Sequence, residues 1–185
     1  MVNSHAAENR SASKRTRVAK AVSGALSRAE DVCLKGGVKL TASRRRILEI
    51  LAAEGRPLGA YDLIEKVAQT SAKRPAPISI YRALDFLLEN GLVHRLASRN
   101  AYLACGHGHA LSEPVVFLIC DSCGEVVEAT SEPLRRDLAE LAGRAEFAPR
   151  VPVMEIAGNC RVCQRDPEKA AAATKNEHAH DHEHK

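Results

Sequence analysis

The sequence predicts an α+β fold in two parts, a helical first half that ends in a small hairpin and a shorter half that mixes strands with a helix. Apolar residues recur at helical spacing over most of residues 23–91 and at strand spacing afterwards. The charge follows the same division, because residues 1–104 carry a net charge of +9 and residues 105–185 one of −5. Two Cys-x-x-Cys motifs lie in the acidic half.

The helices of the first half are predicted from apolar stripes and from their stop signals. Residues 1–22 are rich in Ser, Ala and basic residues without firm periodicity, and we expect a disordered basic arm there. The next helix carries Leu26 and Cys33 on its apolar face and stops at the Gly36-Gly37 pair. A helix capped by Thr41 or Ser43 follows and ends at Gly55. Two more are predicted, over residues 60–69 and 77–90.

Two short strands follow these helices. They are predicted over Leu92 to Leu96 and Ala101 to Ala104, with a turn at residues 98–100. Helices followed by a small hairpin are typical of a winged helix-turn-helix. We therefore predict a winged-helix DNA-binding domain over residues 23–104, whose positive charge suits a polyanion.

The acidic half predicts a small α/β domain over residues 105–163. Strands are expected over Val115 to Ile119, Glu125 to Ala129 and Arg150 to Ala157, with a helix carrying Leu134, Leu138 and Leu141 before the last of them. Residues 164–185 are predicted to be a flexible His-containing tail. Its alternating His residues form a weak metal-binding tract.

The strongest chemical signal is a pair of cysteine knuckles, each read as a turn that follows a strand. Cys120 and Cys123 form one and Cys160 and Cys163 the other. Four thiolates suit tetrahedral zinc, and a closed site of this kind has no open position for a substrate. We therefore predict structural zinc and no catalytic residue. Knuckles on turns, rather than at a helix start, also argue against thioredoxin-like chemistry.

A second group of ligand types lies around the junction of the two halves. Its members supply nitrogen, sulfur and oxygen, a mixture that suits a reversible zinc site: His94, Cys105, His107, His109, Glu113 and Glu128. They come from the wing, the hinge and the second domain, so one ion bound by them would clamp the two domains together.

Composition and motifs argue against a membrane protein, a secreted protein and an enzyme. No apolar run is long enough to cross a bilayer, and the basic N-terminus lacks the apolar core of a signal peptide, so we expect a cytoplasmic protein with reduced thiols and no membrane partner. An enzyme would need an open zinc site with a nearby base, and no motif supplies one. A zinc-storage or chaperone protein remains an alternative, although it leaves the basic winged half unexplained.

Several segments together resemble the ferric uptake regulator superfamily over about residues 25–163. They are LTASRRRILEIL, ISIYRALDFLLENGLVHRL, NAYLAC, FLICDSCGEVVE and CRVC. The segments YDLIEKV, YRALDFLLENGLVHR and NAYLAC are most similar to the zinc-responsive branch. The stretch SEPVVFLIC lacks the His-rich run that usually precedes the first cysteine pair in the iron branch, which disfavours an iron-responsive protein. Iron- and peroxide-responsive regulators of the superfamily are the alternatives.

The resemblance implies one structural and one regulatory zinc ion per subunit. The four paired cysteines match the structural ligands, and His94, Cys105 and Glu128 match three regulatory ligands. The fourth ligand stays open between His109, which is favoured, and His107 or Glu113.

The resemblance also implies a homodimer that represses transcription by binding double-stranded operator DNA when zinc is bound, with no small-molecule substrate. Tyr81 and Arg82 match the recognition-helix pair. Phosphate contacts are expected from four further residues: Tyr61, Arg44, Arg45 and Arg46. The acidic half is expected to form the dimer.

Overall fold

The computed structural model describes residues 4–70, 74–106, 113–149 and 153–166, with side chains described from residue 15 onward. The chain divides into two compact units, residues 1–109 and 110–185. The boundary predicted from the sequence lies between residues 104 and 105, whereas Cys105 belongs to the first unit. Within the described ranges, no helix is both long and apolar enough to span a membrane.

Helix α1 spans Ser4–Lys35, so the expectation of a disordered arm over residues 1–22 is wrong for the part that the structure describes. Residues 4–23 contain neither Pro nor Gly, and their Ala, Arg and Lys residues favour helix. The later part of α1 is anchored in the core, where Ala25, Ala29 and Cys33 are buried. Extending a helix that is already anchored costs less than starting a new one, and the basic segment therefore continues α1.

Three further helices form the body of the first unit: α2 Ala42–Glu54, α3 Ala60–Ala68 and α4 Pro77–Glu89. The predicted cap of α2 is Thr41, whose side-chain oxygen accepts a hydrogen bond from the Arg44 N–H at 3.4 Å. Gly55 ends α2 with φ +62°, a backbone conformation that favours glycine. The buried faces of all three helices meet in one core with α1.

A small antiparallel sheet completes the first unit, with strand order β1-β3-β2. Its strands are β1 Leu58–Gly59, β2 Val93–Leu96 and β3 Ala101–Ala104. The predicted hairpin is confirmed, with His94 opposite Leu103 and Asn100 at φ +43° in the turn. The two residues of β1 are too few to produce a strand pattern, and the sequence analysis missed this strand. The first unit is thus a winged helix.

The second unit contains a three-stranded sheet with order β5-β4-β6. Its elements are β4 Val115–Cys120, β5 Val126–Ala129, α5 Glu132–Arg144, β6 Val153–Gly158 and a short helix α6 Arg161–Arg165. The central strand β4 runs antiparallel to β5 and parallel to β6, and α5 provides the connection between those two edge strands. The predicted α/β architecture is confirmed.

One detail of the second unit corrects the sequence analysis. The Cys160 pair was expected on a turn, but Cys160 is the N-cap of α6 and Cys163 lies in that helix. Only the first pair lies on a turn after a strand, and only that pair therefore differs from the helix-start position typical of thioredoxin-like chemistry. A helix of five residues is too short to appear as an apolar stripe in the sequence.

Candidate metal centres and nucleic-acid interface

The first candidate centre is a cluster of four cysteines at one end of the second sheet. Cys120 ends β4 and Cys123 lies in the turn that follows, where Gly124 has φ +71°. Cys160 and Cys163 are brought to the same place by the end of β6 and by α6. The four sulfurs lie within 4.8 Å of one another. The structure therefore brings together all four predicted ligands.

The spacing of the sulfurs fits a tetrahedral metal ion. The Sγ atoms of Cys123 and Cys160 are 3.7 Å apart. A tetrahedron with zinc–sulfur bonds of about 2.3 Å has edges of about 3.8 Å, whereas sulfurs joined in a disulfide are about 2.05 Å apart. All six cysteines are free thiols. The donor set and its geometry match structural zinc.

Hydrogen bonds join the two cysteine segments. The Asp121 N–H donates to the Gly158 carbonyl at 2.8 Å, and the Ser122 hydroxyl bonds to the Asn159 side-chain oxygen at 2.6 Å. The Cys160 N–H donates to the Cys120 sulfur at 3.2 Å. These contacts hold the sulfurs in place from outside the cluster, as surrounding hydrogen bonds commonly do in metal sites. Sequence spacing gave no signal for the Ser122–Asn159 bond.

The thiols of the cluster differ in acidity. Burial opposes ionisation of Cys120, but backbone N–H groups of Cys160, Cys123 and Ser122 outweigh it and lower its pKa from 9.0 to about 6. Burial raises the pKa of Cys163 to about 12, and the neighbouring thiols and the charge on Cys120 act in the same direction. Cys120 therefore ionises readily while ionisation of Cys163 is opposed, and a cation bound among the sulfurs would favour the thiolate form of both.

The second candidate centre involves His94 and Cys105 of the first unit. His94 lies on β2 and Cys105 directly follows β3, and both are buried. Their potential ligand atoms lie within 4.8 Å of each other. Among the other predicted ligands, Glu128 is half-buried on β5 of the second unit and Glu113 is exposed just before β4. His107 and His109 lie outside the described residues, as does the His-containing tail.

The predicted DNA-contacting residues divide into two groups. Tyr81 and Arg82 are exposed on α4, and Tyr61 is 78% exposed in the first turn of α3. These three side chains are available to a ligand on the surface of the first unit.

The three predicted arginines of α2 instead make contacts within the protein. The Arg44 guanidinium stacks 3.4 Å from the centre of the Phe86 ring and donates to the Lys39 carbonyl at 2.6 Å. Arg45 pairs with Glu30, and Arg46 with Glu49 at 3.2 Å. All three are half-buried at the surface. The Arg44–Phe86 contact links α2 to α4, and the sequence analysis missed this role because the two residues are far apart in the chain.

Fold and site together define a winged-helix protein whose second unit carries a cluster of four cysteines that could hold a metal ion. The sequence model of the ferric uptake regulator family matches residues 35–157. The chain is 36% identical over 141 residues to the zinc uptake regulation protein of Escherichia coli (strain K12), an alignment that covers 75% of this chain and 80% of that protein. The Shigella flexneri protein of the same name matches equally well. The chain belongs to the ferric uptake regulator family.

Solved structures agree with this assignment. A zinc uptake regulator complexed with zinc and DNA superposes with a TM-score of 0.72 at 33% identity, covering 80% of this chain and 97% of that one. Holo XcZur superposes with a TM-score of 0.69 at 36% identity, covering 78% of this chain and 99% of that one.

Proposed function

We propose that this protein is a zinc-responsive transcriptional repressor of zinc-uptake genes, which binds operator DNA as a homodimer with zinc as corepressor. The observation that carries the proposal is the similarity to a zinc uptake regulator complexed with zinc and DNA, over 97% of that chain. The exposed Tyr81 and Arg82 on the fourth helix of a winged unit support it. The protein acts in the cytoplasm, where its operator lies, and has no catalytic role.

Residues 23–104 act as the DNA-binding domain and residues 105–163 as the domain that dimerises and holds metal. An apolar groove in the second unit supports dimerisation, because Leu141 and Phe147 in its lining are 57% and 67% exposed in the single chain. Contiguous exposed apolar patches, unlike apolar residues scattered singly, often mark an interaction surface. No residue of α5 is buried in the single chain, which favours the same surface.

Each subunit holds two zinc ions in this proposal. The structural ion is held by Cys120, Cys123, Cys160 and Cys163. It cross-links the end of β4 and its following turn to α6, which follows β6. His94, Cys105 and Glu128 hold the regulatory ion, with His109, His107 or Glu113 as the fourth ligand. The close approach of His94 and Cys105 supports this ligand set, and a thiolate ligand favours zinc over iron.

Zinc at the regulatory site supplies a cross-link between side chains that are far apart in the sequence. The ligands bind the ion better in the DNA-competent arrangement than in other arrangements, and this difference in affinity is the switch. On DNA, α4 enters the major groove, where Arg82 makes a bidentate contact to guanine worth about 1–3 kcal/mol of discrimination. Tyr61 and the arginines of α2 contact phosphates, which makes binding depend on salt.

Operator binding under controlled free zinc tests the proposal. Fluorescence anisotropy of a labelled operator is followed while buffered zinc is raised, with iron(II) and manganese(II) in parallel and the structural zinc left in place. We expect tight binding only with zinc, loss of the zinc response in Cys105→Ser, and loss of sequence preference in Arg82→Gln. Equal binding without added metal, or a response to iron instead, would contradict the zinc-sensor function. Zinc uptake without specific DNA binding would favour a storage protein.

A further inference from the structure

Arg28 of α1 makes a contact that neither the metal centres nor the DNA surface explain. Its Nη2 donates a hydrogen bond of 2.7 Å to the carbonyl oxygen of Cys105, 77 residues further along the chain. Both residues belong to the first unit. A guanidinium is always charged, and its hydrogen bond to a partly buried carbonyl is stronger than one between neutral groups.

The backbone of Cys105 is held on both sides. Its N–H donates to the Leu92 carbonyl at 3.0 Å, while its carbonyl accepts the bond from Arg28. Cys105 directly follows β3, where the ladder of the wing ends. A residue just beyond a strand end normally has fewer backbone constraints than one inside it, and these two bonds restrict the backbone position from which the Cys105 side chain projects.

The side chain of Cys105 is 4% exposed and its sulfur lies within 4.8 Å of a His94 ring nitrogen. His94 is fixed by the β2–β3 pairing, opposite Leu103. The distance between the sulfur and the imidazole therefore depends on where the Cys105 backbone is held.

Arg28 is itself held by a rigid element. It lies between Ala25 and Ala29, which are 3% and 0% exposed where α1 joins the core. Its side chain extends back along the helix over Gly24, since a Cβ atom at Gly24 would lie 3.5 Å from Nη1 of Arg28. A contact from such a helix places the carbonyl of Cys105 in one position rather than several.

We propose that Arg28 is the positioning residue for Cys105, holding its thiolate at the distance from His94 that the regulatory metal requires. The inference rests on the proposed function in one respect, that Cys105 is a metal ligand. Through this contact, α1 is part of the metal sensor although it supplies no ligand. Groups that orient a metal ligand commonly change metal affinity when they are removed.

Cobalt(II) binding to the full-length protein tests the inference, with zinc retained in the four-cysteine cluster. The absorption band that arises from charge transfer between a thiolate and cobalt reports ligation by Cys105 directly. Arg28→Met removes the donor and keeps much of the side-chain volume, and we expect it to weaken cobalt affinity by about 10- to 100-fold. Arg28→Lys keeps a donor and should restore part of the loss. Arg17→Met, an exposed arginine on the same helix, should bind cobalt as the unmodified protein does.

The outcomes separate this inference from the function on which it rests. If the unmodified protein and Cys105→Ser give the same absorption, Cys105 is not a ligand and the proposed regulatory site fails. If Cys105→Ser loses the band but Arg28→Met binds cobalt with unchanged affinity, the positioning role alone is overturned. The melting temperature of the protein before cobalt is added serves as a structural control. A loss of affinity that Arg28→Lys does not restore, and that follows a fall in melting temperature, would also overturn the positioning role.

Discussion

Replacing Cys160 and Cys163 by serine removes one of the two cysteine pairs of the four-cysteine cluster. Together the two pairs bring distant parts of the second unit to one place. Cys123 and Cys160 are separated by 37 residues, and their sulfurs are 3.7 Å apart. A metal site of this kind exists only after folding, so the free energy of zinc binding, about 10–16 kcal/mol in zinc-finger peptides at pH 7, adds to the free energy of folding. A small domain has a total free energy of unfolding of about 5–15 kcal/mol, so this contribution decides whether the unit is folded.

The second unit has little else to replace the cross-link. Among its described residues, the buried Val, Ile, Leu and Phe side chains all lie on β4: Val115, Val116, Phe117 and Ile119. The helix α5 contributes no buried residue in the single chain. Small domains with so thin a core usually depend on a metal, a disulfide or a partner. We therefore expect the double variant to lose its structural zinc and to unfold in the second unit alone.

Zinc content and hydrogen exchange of the full-length protein check this expectation. The variant should hold one zinc fewer per chain, and amide protection should disappear in β4 and β6 while α2 and α4 keep theirs. Cys33→Ala is the matched control, since Cys33 is buried in α1 and its thiol lies outside the cluster. Retention of the zinc, or unchanged protection of β4 in the double variant, would refute the reasoning.

Three other substitutions have expected outcomes in the first unit. Leu84→Ala should lower the free energy of unfolding, measured in urea, by about 3–5 kcal/mol because Leu84 is fully buried on α4. The control Ile78→Ala, at a residue that is 58% exposed on that helix, should lower it by under about 1 kcal/mol. Equal losses of stability in the two variants would contradict the packing. The pKa of Glu54 is lowered mainly by its hydrogen bond to Lys66, so the pair stabilises the protein above the ordinary carboxyl pKa of 4.5 and loses this effect as pH falls through the lower folded value. Glu54→Gln should therefore lower the free energy of unfolding by about 0.5–1 kcal/mol at neutral pH and by almost nothing in acid. Urea unfolding at a series of pH values measures this difference. A loss of stability that does not depend on pH would contradict the ionic interaction. Gly24→Ala should raise the melting temperature, since alanine favours helix by up to about 1 kcal/mol and the added Cβ meets Arg28 at an ordinary contact distance of 3.5 Å; a lower melting temperature would show that Arg28 needs the space.

The helices and strands with a regular apolar pattern were predicted well. The boundaries of α2, α3 and α4 agree within one or two residues, because each has a stop or cap residue next to its stripe, such as Thr41 and Gly55 for α2. The full length of α1, the strand β1 and the helix α6 were not predicted. The first is a polar extension of an anchored helix, and the other two are too short for an apolar residue to recur at a regular spacing.

The candidate sites, like the helices and strands, were predicted where the residues are close in the sequence and missed where they are distant. The four-cysteine cluster was predicted complete, because two pairs of thiols at fixed short spacing have few uses in a chain with reduced cysteines. The closeness of His94 and Cys105 was expected from the mixture of ligand types around the junction, and the family resemblance supported the same pair. Nothing in the local sequence indicated that Arg44 would stack on Phe86 instead of pointing only to solvent.

The sequence by itself determined the two-part organisation, the helices α2 to α4 and the hairpin of the winged helix, and the four cysteines of the candidate metal centre. Each of these depends on residues a few positions apart, whose spacing is visible in the chain. The tertiary structure alone decided that the Arg28 guanidinium meets the Cys105 carbonyl and that Ser122 meets Asn159. Such contacts join segments that are distant in sequence, and they exist only after the cores have packed, because packing and not local propensity brings their backbones within hydrogen-bond distance.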